Sequence, residues 1–279
     1  MLRNIVFLPH GMQIIPGVEK EPLEKFMTIN NHMEELMEQY ASRNMTNNVV
    51  MLTPHGYNLA EKLVVYNHEK FKGTIFSLSQ ESNIYGEALF SFEYNGNSKQ
   101  TEEIIEKLPQ ISIETLSHGY PGYPLTLNWG EMVPLYYYHK YNPKSTYSMM
   151  CYPRTRHTDF DKIQLLNDQL VSMINDLDHD FNLLISGDLS HVHQESGPYG
   201  YHESCSIFDN LIQEWAKSPE EKTMNEILSM QPVALACGMA GLNLIHKLLS
   251  QGQYKLITSF YEVPTYFGMG GYWWQQVDE

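Results

Sequence analysis

The chain has 279 residues, of which 42% are hydrophobic and 18% charged, a composition typical of a globular protein with a sizeable core. Its 18 Lys and Arg against 33 Asp and Glu give a formal net charge of −15, which argues against nucleic acids and anionic membranes as partners. The three cysteines are widely spaced, and no apolar run reaches the roughly 18 residues of a membrane span, so we expect a cytoplasmic protein without membrane contact.

Apolar stretches of strand length alternate with longer helical patterns in the first half of the chain. A short buried strand is predicted at 4–8, a helix with apolar residues at helical spacing at 22–44, and a second buried strand at 48–52. Two stretches of alternating apolar and polar residues, 73–80 and 86–96, are separated by turn residues and predict a hairpin. A helix at 100–108 follows.

The second half continues the alternation after a loop at 117–130, which is too aromatic for a flexible linker and suits the wall of a site. The further predicted elements are strands at 146–152, 182–186 and 254–263 and helices at 161–177, 203–216, 219–229 and 237–251. Strands that are apolar almost throughout need helices on both faces. We therefore predict an α/β protein with a three-layer α/β/α fold, a mixed or mostly parallel sheet and a single domain over residues 1–279.

Four polar residues end or follow predicted strands: His10, His55, His191 and Glu262. Ligands of open α/β sheets bind at the carboxyl ends of the strands, so parallel neighbours would bring these side chains together. Two imidazoles and one carboxylate form a facial triad that leaves three metal positions open and suits non-heme Fe(II). The remaining His191 would then be available as an acid and base. Each of these residues also has an ordinary alternative as a solvated loop or strand-end residue.

Several longer pieces of the sequence are similar to one known superfamily, in its order and over nearly the whole chain. These pieces are FLPHG (7–11), LTPHGYNL (52–59), WGEMVPLYY (129–137), SGDLSHVHQESGPYGYHESCSIFDN (186–210), ACGMAGLNLI (236–245) and YEVPTYFGMGGY (261–272). Together they resemble the class III extradiol ring-cleaving dioxygenases, that is, the protocatechuate 4,5-dioxygenase catalytic-subunit family. Within it they are closest to the branch named after Memo and the AmmeMemoRadiSam systems.

The resemblance implies a role for each matching residue. His10, His55 and Glu262 match the iron ligands, and His191 matches the histidine that acts as base and acid in ring cleavage. The implied cofactor is Fe(II), with Mn(II) or Zn(II) as alternatives. The implied partners are O2, a catecholic or related vicinal hydroxy-aromatic substrate and further copies of the chain in a homo-oligomer such as a dimer.

One departure from the family concerns the loop before VPL, where catalytic members commonly have Asp-His-Gly. This chain has Asn128, Trp129 and Gly130, so the second pocket imidazole of the family is missing. His118 from the same loop could fold back to replace it, or Trp129 could be a flat wall for a different aromatic substrate. Ring cleavage could also be lost, leaving a Memo-like metal-binding protein. A hydrolase with Zn(II) on the same ligands is a further alternative.

Other candidate residues have a functional and an ordinary interpretation. Tyr199 could line the pocket and donate to a substrate oxygen, or it could only pack its ring. Asp188 could orient a histidine or cap a turn, and we expect Cys237, at a helix start, to be structural. Arg154 and Arg156 could offset the charge of an anionic substrate, although exposed arginine is the common case.

Overall fold

A mixed sheet with helices on both faces forms the body of the chain in the computed structural model, which describes residues 1–78, 85–120, 122–154 and 159–277. Within these residues the sheet has eleven strands. They are β1 (Leu2–Leu8), β2 (Asn48–Thr53), β3 (Leu63–Asn67), β4 (Lys70–Leu78), β5 (Tyr85–Gly96), β6 (Ile113–Ser117), β7 (Leu125–Thr126), β8 (Thr146–Cys151), β9 (Phe181–Ser186), β10 (Tyr254–Glu262) and β11 (Met269–Gln276).

Helices connect these strands and cover the sheet. They are α1 (Glu24–Ala41), α2 (Ser98–Lys107), α3 (Trp129–Tyr141), α4 (Phe160–Asn175), α5 (Ser204–Lys217), α6 (Glu221–Ala234) and α7 (Met239–Leu249). None of the helices in the described part of the chain is both long and apolar enough to cross a membrane.

Four parallel strands, in the order β1-β9-β2-β8, form the centre of the sheet. On one side β11 runs antiparallel to β1, and β10 runs antiparallel to β11 at the edge. On the other side β3 runs antiparallel to β8, and β6 runs parallel to β3. The central four strands are buried almost throughout, which explains their continuous apolar sequences.

Two hydrophobic clusters lie on the two faces of this sheet. Ile5 and Phe7 of β1 point into the cluster formed with α2, α4, α5, α6 and α7. Val6 and Leu8 alternate with them and point into the cluster formed with α1 and α3. The predicted three-layer α/β/α arrangement with a mixed sheet is therefore confirmed.

The predicted elements agree with the structure to within a few residues at most positions, but four strands and one helix were not among them. The hairpin of β4 and β5 is confirmed by their antiparallel pairing, although its residues 79 and 80 lie outside the described residues. The elements that were not predicted are strands β3, β6, β7 and β11 and helix α3. Helix α3 takes in the end of the predicted loop and the run Met132–Tyr138, most of which is buried core.

Candidate metal centre

Polar side chains converge where the four central parallel strands end. His10 follows β1, His55 follows β2, Asp188 follows β9 and Arg154 follows β8. A cavity of about 750 Å³ opens over these strand ends and is lined by all four of these residues. This is the edge at which open α/β sheets bind their ligands, and the structure brings the predicted residues His10 and His55 together there.

The His10 imidazole lies on the floor of this cavity and is only 3% exposed. Its Nδ1 lies 3.1 Å from Ser186 Oγ, and its Nε2 lies 3.4 Å from Cys237 Sγ and 3.4 Å from Asp188 Oδ2. Burial lowers the pKa of His10 to about 3 and raises the pKa of Asp188 to about 7, so burial favours the neutral form of each group. A neutral imidazole is the form that binds a metal ion.

A bridge of two hydroxyl groups fixes His10 and His55 relative to each other. Ser186 Oγ, next to His10, lies 3.1 Å from Thr53 Oγ1, which accepts a 3.1 Å hydrogen bond from the backbone N–H of His55. The two imidazole rings lie with their centroids 5.0 Å apart at an interplanar angle of 79°. Partners of this kind orient metal-binding histidines and set which nitrogen faces the metal.

Cys237 enters the same floor because two glycines let its loop approach the end of β9. A Cβ atom on Gly187 would lie only 2.4 Å from Cα of Gly238, so the backbones meet without side chains between them. The N–H of Gly238 donates to the carbonyl of Asp188 at 3.0 Å, and the N–H of Asp188 donates to Cys237 Sγ at 3.2 Å. These contacts hold the thiol beside His10.

Two overlapping sets of potential metal ligands result among the described residues. One ligand atom each from His10, His55 and Cys237 lie within 4.8 Å of one another, and the same holds for Asp188, His191 and Cys237. Imidazole and thiolate are donors that first-row transition metals prefer. The donor set therefore fits a single transition-metal ion.

His191 and Tyr199 lie beside these ligands, as predicted, and line the cavity. The backbone N–H of His191 donates to the carbonyl of Ala234 at 2.8 Å, and its ring stacks on Tyr199 with centroids 5.8 Å apart and an interplanar angle of 16°. His191 is buried, whereas Tyr199 keeps 40% of its surface exposed. The geometry places an imidazole next to the potential metal ligands, and its role as acid and base stays a prediction.

The match to a family of known proteins covers almost the whole chain. The family described as the catalytic LigB subunit of aromatic ring-opening dioxygenase matches residues 4–269. The chain belongs to this LigB family.

Two individual proteins show how far this similarity extends. Protein CA_C1420 of Clostridium acetobutylicum is 23% identical over 216 residues, which cover 76% of this chain and 44% of that protein, so the chain spans less than half of its relative. The crystal structure of the uncharacterized protein JW3007 from Escherichia coli K12 matches with a TM-score of 0.57 over 97% of this chain and 99% of that chain. Its sequence identity is 12%, and the likeness concerns the fold.

Glu262 is not brought together with the two histidines, in contrast to the predicted ligand set. It ends β10 at the edge of the sheet and pairs with Met269, and β11 lies between β10 and β1. Two strand spacings amount to about 10 Å between β10 and the strand that carries His10. Within the described part of this LigB-family chain, Cys237 and not Glu262 completes the cluster with His10 and His55.

His118 lies at the opposite edge of the sheet, so it does not supply the missing pocket imidazole. It follows β6, whose last residue Ser117 pairs with Asn67 at the end of β3. Because β3 runs antiparallel to β8, the ends of β3 and β6 point away from the carboxyl ends of the central strands. His118 is exposed and stacks on Tyr123 at 5.3 Å.

Trp129 occupies the wall where catalytic members of the family commonly have histidine. Its ring stacks on His55 with centroids 5.5 Å apart and an interplanar angle of 30°, and 43% of its surface is exposed. Gly130 allows this approach, because a Cβ there would lie 2.3 Å from the carbonyl oxygen of His55. The indole therefore forms a flat aromatic wall directly beside a potential metal ligand.

The buried carboxyl group of Glu131 holds the backbone beside Trp129 in place. Glu131 accepts a 2.8 Å hydrogen bond from the Tyr66 hydroxyl and a 2.9 Å hydrogen bond from the backbone N–H of Asn128. The Tyr66 hydroxyl in turn accepts from the N–H of Tyr57, two residues after His55. Burial raises the pKa of Glu131 to about 8, against the lowering effect of its hydrogen bonds.

Two of the other sequence candidates have clear outcomes. Cys237, expected to be structural, is instead a cavity residue and belongs to both ligand sets. The available sequence signal for Cys237 was its position beside Gly238 at a predicted helix start. Because Cys237 does not follow a strand, it was not grouped with the histidines. Arg154 lines the cavity, and Arg156 lies outside the described residues.

Proposed function

We propose that this chain is an extradiol-type dioxygenase that opens the ring of a catecholic or related vicinal hydroxy-aromatic substrate with O2. The observation that carries the proposal is the cluster of His10, His55 and Cys237, with His191 beside it, on the floor of a cavity in a LigB-family chain. Three protein ligands leave open positions on an octahedral ion. The proposed reaction needs these positions, because both O2 and the substrate bind there.

The proposed cofactor is Fe(II), held by His10, His55 and Cys237. When bound, Fe(II) would supply Lewis acidity toward the substrate hydroxyls and the redox chemistry that O2 needs. A thiolate is a softer ligand than the carboxylate of the predicted set, and it makes Zn(II) a stronger competitor for this site than Mn(II).

The surrounding residues would bind the substrate and move its proton. The imidazole of His191 would take a proton from a substrate hydroxyl and return it during ring opening. The partly exposed rings of Trp129 and Tyr199 offer faces on which an aromatic substrate can stack. The buried floor would keep water from the reacting groups.

The test is anaerobic loading of the full chain with Fe(II), followed by a panel of catechols and oxygen. We expect iron-dependent oxygen uptake together with the yellow absorbance of a ring-opened product. His191→Ala should lower kcat by about 10²- to 10⁴-fold, the usual contribution of a general acid or base, with iron still bound. His202→Ala serves as a matched control, since His202 is an exposed histidine of the same segment whose Nδ1 contacts Ser204.

A second function, metal binding without ring cleavage, is favoured by two specific observations. Cys237 stands with His10 and His55 where a carboxylate was predicted, and Trp129 covers His55 where the family commonly has histidine. Tight iron binding without turnover of any catechol would support this second function. Turnover that is unaffected by His191→Ala would contradict the assigned role of His191.

A further inference from the structure

Strand β10 forms one edge of the sheet, and no strand lies beside its outer side in the described part of the chain. It has 9 residues without a proline, and its only charged residues, Lys255 and Glu262, stand near its two ends. An unpaired edge of this length presents backbone N–H and C=O groups to other strands, and proteins usually blunt or cover such an edge. The outer side of β10 can therefore accept a further strand.

The two charged residues of β10 have no ion partner among the described residues. Lys255 is exposed and Glu262 is partly exposed, and neither forms a salt bridge there. Glu262 lies outside both sets of potential metal ligands, so its role is open. Opposite charges at opposite ends of one strand match a second copy of the same strand that runs antiparallel to it.

A β-bulge makes the spacing of these charges symmetric. The register of β10 with β11 shifts at Ile257, which is the extra residue of the bulge. Lys255 precedes Ser259 by four residues, and Glu262 follows Ser259 by three. Because the bulge takes up one residue, both charged residues lie three strand positions away from Ser259.

The apolar residues of β10 are symmetric about Ser259 in the same way. Leu256 and Tyr261 pack against the cluster on the side of α4 to α7. Ile257 and Phe260 pack against the cluster on the side of α1 and α3. Residues directly opposite each other in antiparallel strands lie on the same face of the sheet, so each of these two pairs can meet across two copies of β10.

A two-fold axis at Ser259 satisfies all of these pairings in one register. Ser259 is small and exposed, so two copies can approach each other at this position. The resulting cross-strand pairs are Lys255 with Glu262, Leu256 with Tyr261, and Ile257 with Phe260, each formed twice. Aliphatic–aromatic pairs and pairs of opposite charge are the kinds of pair that stabilise antiparallel strands.

A groove beside β10 offers space for side chains of the second strand. It measures about 300 Å³ and lies between β10 and α1. Its lining comes from one face of α1 and from the middle of β10: His32, Glu35, Leu36, Gln39 and residues 258–261. Ile257 and Phe260 of a second copy would point to this side of the sheet and into the groove.

The net charge of −15 on each chain opposes association at long range. At about 0.15 M salt the Debye length is about 8 Å, so charges further apart than this are largely screened. Lys255 of one copy and Glu262 of the other would be in contact, and their attraction is screened less. The local charge pattern of β10, rather than the net charge, therefore decides whether two edges pair.

We propose that two copies of this chain pair through β10, antiparallel about a two-fold axis at Ser259, so that the sheet continues from one copy into the other. Glu262 then serves as an interface residue that binds Lys255 of the second copy. Residues of β10 neither line the cavity nor belong to a potential ligand set, so this dimer does not depend on the proposed function.

The test is sedimentation velocity of the full chain over a wide range of concentrations at about 0.15 M salt. We expect a dimer of twice the chain mass of 32.4 kDa. Lys255→Glu and Glu262→Lys each replace both attractive pairs by like charges, and each should raise the dissociation constant of the dimer about tenfold or more. Lys99→Glu makes a matched charge change at an exposed position of α2 and should leave the dissociation constant unchanged.

Mixing the two single variants assigns the effect to the contact. An equimolar mixture of the Lys255→Glu and Glu262→Lys chains should form a heterodimer, because each chain then carries the charges that the other needs. The double variant Lys255→Glu/Glu262→Lys should dimerise as the natural chain does. Recovery of association on mixing also shows that both single variants are folded.

Three results would overturn the proposal. The first is a natural chain that sediments as a monomer at every concentration. The second is a dimer whose dissociation constant is the same in both single variants as in the natural chain. The third is a pair of single variants that stay apart when they are mixed.

Discussion

The described part of the chain contains two pairs of neighbouring histidine rings, and the pairs differ in almost every other respect. His10 and His55 have ring centroids 5.0 Å apart at 79°, and His68 and His118 have centroids 6.4 Å apart at 73°. The first pair meets a thiol on the floor of a cavity. The second pair includes an exposed imidazole that stacks on Tyr123. The third potential ligand and the burial, rather than the proximity of two imidazoles, distinguish the first pair as the candidate metal centre.

The direction of the strands separates the two pairs. His10 and His55 follow parallel strands that end at the same edge of the sheet. His68 and His118 follow β3 and β6, which are parallel to each other but run opposite to β8. Only the first edge also receives the loop before α7, which brings Cys237.

The largest expected difference between the pairs is in metal affinity. Replacing His10 or His55 by alanine leaves two of three ligands, and we expect it to weaken Zn(II) or Fe(II) binding by more than about 100-fold, beyond the effect of removing an outer partner. His118→Ala should leave the affinity unchanged. Competition with a chromophoric chelator measures both variants. Equal losses in the two variants would refute the contrast between the pairs.

The next largest effect concerns Glu131, the buried carboxyl group on the His55 side of the candidate metal centre. Burial raises the pKa of Glu131 from its ordinary value of about 4.5 to about 8 in the folded chain, so the folded state holds the proton more tightly than the unfolded state between these values. Stability is therefore lost as the pH rises from about 5 to about 8, by on the order of 3 kcal/mol, and is regained on acidification.

Glu131→Gln keeps the shape of the protonated group and removes its titration. The variant should match the natural chain in free energy of unfolding near pH 5 and exceed it near pH 8, as measured by urea unfolding at both values. A variant that loses stability with pH as steeply as the natural chain would show that Glu131 does not hold its proton.

A smaller effect is expected for the hydroxyl that orients His10. Ser186→Ala removes the group 3.1 Å from His10 Nδ1 and the link to Thr53, and we expect metal affinity to fall by about tenfold. Ser148→Ala is the matched control, since Ser148 is equally buried in β8 but bonds Thr101 and Gln100. A similar loss of affinity in both variants would indicate general destabilisation instead of orientation.

The fold could be predicted to a large extent because its central strands are short, apolar and flanked by long amphipathic helices. Strands β3 and β6 escaped prediction for opposite reasons. The apolar run of β3 follows β2 closely and lacks a helical segment between them, and β6 has only Ile113 and Leu116 as large apolar residues. Both strands run opposite to the central strand β8. Because neither strand was predicted, the sequence analysis allowed His118 to reach the pocket, which lies at the other edge of the sheet.

From the sequence, only those candidate site residues could be predicted that directly follow parallel strands. This rule located His10, His55, His191 and the cavity, but it also selected Glu262, because sequence does not give the order of strands. Cys237 precedes a helix, and only the contact of Gly187 with Gly238 brings it to the floor. That contact joins residues 51 positions apart, and no local pattern in the chain reports it.

The hydroxyl bridge between Ser186 and Thr53 has a consequence for how the protein would take up its metal. Both residues are the last residues of central strands, so the two histidines are held by the sheet itself and not by the ion. Zinc fingers, by contrast, unfold when a chelator removes their metal, because binding supplies their folding free energy. In this chain a chelator should remove the ion and leave the circular dichroism spectrum unchanged. The metal-free protein should therefore stay folded and be able to bind the metal again.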